Sequence, residues 1–134
     1  MSYELTETER NAALQLDADY RYDHFVSKAA RHGMVWILKD EEGPLLLDSE
    51  GEACLPVWPH PDYAQAWVDD DELAGFVPQS VTLPVWIEQW AAGLSQDGIA
   101  VAVFPLQDAA GIVEDAEDLA ATLRERLVED AKLQ

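Results

Sequence analysis

LPVWPHPDYAQAW, residues 55–67, holds the junction on which the reading of this chain turns. Its first four residues are apolar and extended in character. Then Pro59 and Pro61 bracket His60, and the pattern changes. Proline has no backbone N–H and fixes φ, so the pair ends a strand ladder. Pro61 also suits a first helical turn, where that N–H would find no partner anyway. Asp62 stands where a helix dipole is positive. Beyond it Tyr63, Ala64, Trp67 and Val68 fall at i, i+1, i+4 and i+5, the face of a helix laid on a sheet. The stretch is a strand-to-helix corner.

Upstream of the corner, MVWILKD (34–40) is rich in β-formers and ends at Glu42-Gly43. PLLLDS and EACLPVW follow at hairpin spacing around Ser49-Glu50-Gly51, which predicts a three-stranded antiparallel meander. These strands are apolar at nearly every position, so helices should cover both faces. Before them, Tyr22, Phe25, Val26, Ala29 and Ala30 recur on one helical face over 17–32, with Asp17 or Asp19 as the N-cap and Gly33 as the stop. Residues 1–16 are polar and weakly patterned and read as a weakly ordered or short helical lead-in; 17–134 reads as a single globular domain.

Downstream, the acids Asp69, Asp70, Asp71 and Glu72 oppose the negative end of the corner helix and stop it. GFVPQSVT (75–82) is extended. Leu83, Trp86, Ile87, Trp90, Ala91 and Leu94 then mark an amphipathic helix, with Thr82 available as N-cap and Pro84 in the first turn. After Asp97-Gly98, the unbroken apolar run IAVAVFP (99–105) marks a strand inside a sheet. Ile112, Ala116, Leu119, Ala120, Leu123, Leu127 and Ala131 predict a terminal helix, acidic early and with Arg124 and Arg126 later. The class is α+β: a mostly antiparallel sheet of about five strands packed by about four helices, in the order α-β-β-β-α-β-α-β-α.

Composition bounds what such a domain does. The 134 residues, 49% of them hydrophobic, fill one core without disulfides or metal. The single Cys54, between Ala53 and Leu55, reads as a buried strand residue. No apolar run approaches the roughly 20 residues of a membrane-spanning helix. The first residues are acidic where a secretory signal is basic, so a cytoplasmic location is expected. Eight Lys and Arg against 27 Asp and Glu leave a net charge of -19. That field repels nucleic acid and anionic lipid and attracts cationic partners, while also serving solubility or a saline host.

Three stretches, VWILKD (35–40), LPVWPHPDYAQAW (55–67) and SVTLPVWIEQWAAGLSQDGIAVAVFP (80–105), together resemble the small bacterial family called domain of unknown function 2750. LPVWPHPDYA is the specific part, and the resemblance covers about residues 20–105. It implies no activity, cofactor or site. More distantly, the order of strand ending in PVW, helix, short strand, helix and strand ending in VFP is similar to the enhanced-serine-sensitivity family and to immunity families of polymorphic toxins. On architecture alone this implies an immunity- or regulator-like role.

The aromatic set Trp58, His60, Tyr63 and Trp67 is the candidate binding site, with His60 as polar anchor or acid–base group. Packing competes with that reading, because buried aromatics need no ligand to explain them. His24 and His32 read as solvated. The acid groups Asp69, Asp71, Glu72 and Asp17, Asp19, Asp23 lack the glycine and distal glutamate of a calcium loop, so no metal and no cofactor is expected. No phosphate loop, dinucleotide fingerprint or nucleophile elbow occurs in the sequence. The expectation is a non-enzymatic domain that binds another protein, electrostatically favoured if basic. The alternative is a small-molecule binder or enzyme built on the aromatic set.

Overall fold

A computed structural model of the chain describes residues 5–49, 51–68, 75–106 and 111–132. Its first three helices begin where a side chain takes up an orphan backbone N–H. Thr6 caps α1 (Glu7–Leu14), accepting from the Glu9 N–H. Of the two aspartates expected as caps for α2 (Ala18–His32), Asp17 serves, accepting from Tyr20, and Gly33 at φ 72° closes the helix. His60 caps α3 (Pro61–Trp67). The lead-in thus carries α1, which buries Ala13 and sets Glu9 3.0 Å from Lys28 of α2.

The strands are β1 (Met34–Asp40), β2 (Gly43–Pro44), β3 (Leu47–Ser49), β4 (Glu52–Val57), β5 (Val77–Thr82), β6 (Ala100–Val103) and β7 (Ile112–Asp115). They form two mostly antiparallel sheets, ordered β2-β1-β5 and β3-β4-β6-β7, and the class is α+β. A bridge between Trp36 and Trp58, with N–H···O distances of 3.0 and 2.9 Å, stitches β1 to the end of β4. The apolar run at 99–105 lies inside its sheet, as its composition predicts, between parallel β4 and antiparallel β7.

Two expectations need correction. The meander does not form, and the strands do not share one sheet. PLLLDS divides at Leu45-Leu46: Gly43–Pro44 pairs with β1, whereas Leu47–Ser49 pairs with β4. The long partner of β1 is β5, in register from Met34↔Thr82 to Lys39↔Val77. Apolar runs covered on both faces do not encode which neighbour they choose, and the short proline-bearing β2 leaves most of β1 open for β5. The terminal helix, α6 (Ala116–Lys132), starts later than expected because Ile112–Asp115 is a strand. There exposure alternates, with Val113 and Asp115 outward, the period of a strand rather than a helix. The Asp115 carboxylate then accepts from the Glu117 N–H at 2.8 Å and opens the helix. The acidic run at 69–72 lies outside the described residues.

Most positions of the predicted faces are buried, while Leu127, expected on the inward face of the terminal helix, is exposed. Phe25, Val26, Ala29 and Ala30 of α2 are buried, as are Leu119, Ala120 and Leu123 of α6, which packs beside it. The helix after β5 runs through α4 (Leu83–Val85), a π-helical turn (Trp86–Trp90) and α5 (Ala91–Gln96). Leu83, Trp86, Ile87, Ala91 and Leu94 are buried. In the widened turn the Ala91 N–H reaches the Trp86 carbonyl, and Trp90 is half-buried with its ring stacked on Trp86 at 6.1 Å.

The segment after β6 runs close to the backbone that enters β7. A Cβ on Gly111 would collide with the Val103 carbonyl oxygen and stand 3.1 Å from the Pro105 nitrogen. Neither neighbour is a flexible side chain. Gly111→Ala is therefore expected to lower stability by about 1–3 kcal/mol in urea unfolding. A variant with an unchanged midpoint would disprove the close approach.

Candidate functional site

The strand-to-helix corner at 55–67 combines a helix cap with buried aromatic side chains. The His60 imidazole is buried, 5% exposed, and its Nδ1 accepts from the Asp62 N–H at 3.1 Å. The Asp62 carboxylate stands 3.8 Å from the same nitrogen, too far to compete with the cap. Trp58 is fully buried, and its indole Nε1 donates to the Pro105 carbonyl at 3.0 Å. Its ring meets Trp67 at 5.9 Å, and His60 meets Tyr63 edge-on at 6.3 Å.

The four candidate residues thus meet in two pairs, Trp58 with Trp67 and His60 with Tyr63. A cleft of about 240 Å³ lies between α1 and α3, lined by Arg10 and Leu14 from α1, Tyr63 and Trp67 from α3, and Pro105 and Leu106 after β6. Tyr63 and Trp67 face it. Trp58 and His60 are not among its walls and serve packing and capping. The cleft sits just past the carboxyl ends of the parallel strands β4 and β6, since α3 continues from one and Pro105-Leu106 from the other.

Tyr63 is 3% exposed, and its hydroxyl is buried without a hydrogen-bond partner among the described residues. Burial pushes the phenol's pKa well above its ordinary value, so the group is a neutral hydroxyl at physiological pH. Its ring packs on Phe104 at 4.7 Å. Phe104 itself has φ 51°, a left-handed conformation that a bulky aromatic adopts only when its surroundings impose it. Those surroundings are identifiable: its N–H donates to the Val57 carbonyl at 2.8 Å, and its carbonyl accepts from Arg21 Nε at 3.1 Å. Arg21, 3% exposed, also donates to the Leu16 carbonyl at 2.7 Å. Sequence reasoning passed over Arg21, although it is in phase with Phe25 and Ala29 on the buried stripe.

Of the histidines expected to be solvated, His24 requires a further correction. It is half-buried, 6.1 Å from the Phe104 ring, and its Nε2 is enclosed without a hydrogen-bond partner among the described residues. Desolvation lowers its pKa, with Glu9 pulling the other way. The charged residues around it in sequence concealed its position under α1. Desolvation lowers His32 too, followed by the nearby positive charge of Lys28.

A second concavity of about 150 Å³ runs between α2 and α6, with Asp23, Glu125, Arg126 and Glu129 at its edges. At its base the Tyr22 hydroxyl donates to Glu114 at 2.6 Å. Burial, then this hydrogen bond, pushes Tyr22 up to about 12, and burial raises Glu114. The pair is a structural latch between α2 and β7. Cys54 is buried, and desolvation followed by Asp48 and Glu52 raises its pKa, which keeps it a thiol. Among the described residues no group of three His, Cys, Asp or Glu side chains gathers as a metal ion requires. Among them too, no helix is long and apolar enough to cross a membrane.

Residues 22–123 match the family model described as "Protein of unknown function (DUF2750)". The match runs beyond the stretch ending at 105 that carries the sequence resemblance, and takes in β7 and the first half of α6. Comparison with curated proteins finds no match.

Proposed function

The chain belongs to the DUF2750 family, and since that family's description assigns no activity, we propose that this protein works by binding another protein, a basic one, in a regulator- or immunity-like role. The observation that carries the reading is the net charge of -19. A field of that size steers cationic surfaces into encounter and disfavours nucleic acid. The groove between α2 and α6 is the part of the surface best suited to receive such a partner. Asp23, Glu125 and Glu129 flank it, with Arg126 among them 3.8 Å from Asp23. An acidic rim suits a partner that arrives by charge. Several titratable groups inside the fold are occupied structurally: His60 caps a helix, Tyr22 and Glu114 hold each other, and Arg21 ties down two carbonyls.

The expected result with immobilised protein is retention of a basic protein from lysate at low ionic strength, with release as salt rises. Glu125→Lys with Glu129→Lys, both at exposed positions, should slow association with that protein about tenfold or more. Equal association rates for the charge-reversed protein, or a retained partner that is itself acidic, would overturn the proposal.

A further inference from the structure

We propose that α1 is a flap released by acid: protonation of His24 lifts it from α2 and bares the apolar wall of the cleft formed by α3 and the segment after β6. The inference is independent of the protein-partner reading, which rests on net charge and on the α2–α6 face.

The position of His24 follows from its neighbours on α2. Arg21, His24 and Lys28 fall at i, i+3 and i+7, one face of the helix. The outer two both hold α1. Arg21 donates to the Leu16 carbonyl at 2.7 Å, just past the end of α1, and Lys28 stands 3.0 Å from the carboxylate of Glu9 in its first turn. His24 therefore lies between those two contacts, beneath α1. There its Nε2 is enclosed without a hydrogen-bond partner among the described residues, and its ring stands 6.1 Å from that of Phe104.

A neutral imidazole bears that enclosure at the cost of one unmade hydrogen bond, whereas an imidazolium would be a buried charge without a partner. The surrounding charges do not repair this. On α2, protonation places a third cation on the stripe, between Arg21 and Lys28. α1 contributes a further cation, Arg10, and one carboxylate, Glu9, which Lys28 already engages. The other Glu9 oxygen is enclosed too, and among the described residues no carboxylate forms an ion pair with His24. Asp23, adjacent in the chain, has a side chain 75% exposed and 3.8 Å from Arg126 of α6. Phe104 at the end of β6 carries no charge. Desolvation, the largest cause, accordingly holds the His24 imidazole below its ordinary value. A depressed folded value means that docking is favoured above about pH 6.5 and is lost progressively as pH falls below it.

Little else holds α1. It spans eight residues, too few for a stable helix in isolation, and Ala13 is its one buried residue. Its release has a defined consequence. Arg10 and Leu14 form one wall of the cleft of about 240 Å³, and Trp67, Pro105 and Leu106 stand on the other. Lifting the first wall bares the second, an apolar surface of the kind that marks an interaction site. The chain at 15–17 is the hinge, because Arg21 keeps the Leu16 carbonyl and Asp17 still caps α2.

The test is amide exchange on the whole chain at about pH 7.5 and about pH 5.5, read as protection factors so that the intrinsic exchange rate cancels. Protection at residues 10–14 should fall several-fold on acidification. The fall should not exceed about tenfold, because one histidine with an ordinary pKa near 6.5 in the released state supplies at most that shift. α6 and β6 should keep their protection. His24→Gln and His24→Phe should each abolish the pH dependence, and since one replacement is polar and the other apolar, a packing defect in either is separable from the loss of titration. Unchanged α1 protection in the wild type, or greater protection at the lower pH, would overturn the proposal. So would a parallel loss in α6, or a pH dependence that persists in either folded variant.

Discussion

Trp58→Ala is expected to remove about 3–5 kcal/mol of stability, the largest loss from any single truncation in the corner. The side chain is fully buried, touches Trp67 at 5.9 Å and donates from Nε1 to the Pro105 carbonyl at 3.0 Å. Its backbone forms the bridge to Trp36 that joins the two sheets. Truncation therefore opens a cavity where the sheets meet and orphans a buried acceptor at once. Small domains are stable by about 5–15 kcal/mol, so the variant should lose a large fraction of its stability. Urea unfolding of Trp58→Phe separates the two losses, because phenylalanine restores most of the packing and leaves the Pro105 oxygen unpaired. That variant should fall between parent and alanine, about 1–3 kcal/mol below the parent. If Trp58→Ala cost less than about 1 kcal/mol, the indole would not be in the core.

Arg21→Met is the second large effect, about 2–4 kcal/mol. Methionine keeps the apolar stem of the side chain, so the loss reports on the guanidinium. That group donates to the Phe104 carbonyl and to the Leu16 carbonyl, joining the end of β6 to the turn between α1 and α2. Without it two carbonyls lose a buried donor, and Phe104 loses one of the contacts that hold φ at 51°. Amide exchange in the variant should accelerate first at 104–106 and at the start of α2, before global unfolding. Uniform acceleration across the protein, or Arg21→Lys matching the wild type in stability, would show that the fork geometry is not what matters.

The parts of this fold governed by local chemistry could be read from the sequence. The prolines of the corner, the Asp17 and Gly33 ends of α2 and the apolar stripe from Leu83 to Leu94 each state their conformation within a few residues. Choices between distant segments were not legible. β1 could pair with any extended apolar run, and its selection of β5 depends on how little of itself β2 offers. β7 was hidden because Ile112 and Ala116 stand at i and i+4, which satisfies a helix as well as a strand entering one. The same division holds for the cleft. Tyr63 and Trp67 were visible as aromatics beside the corner. Arg10 and Leu14 were not, because α1 is too polar to advertise a face and its position is fixed by tertiary contacts through Ala13 and Glu9.

The parallel pairing of β4 with β6 also bears on how the chain reaches this state. Val57 meets Val103 only after everything between them has been synthesised, and the register of β1 on β5 likewise awaits residues 77–82. Closing loops of that length costs entropy before any contact repays it, so local hairpins such as β3–β4 should precede both closures. While the chain emerges from the ribosome, β4 therefore presents an uncovered edge, apolar from Ala53 to Val57, until its neighbour arrives. That interval is when this protein is most exposed to mispairing with other nascent chains, and the abundance of acidic side chains, by mutual repulsion between chains, is well suited to keeping it solitary until the sheet is complete.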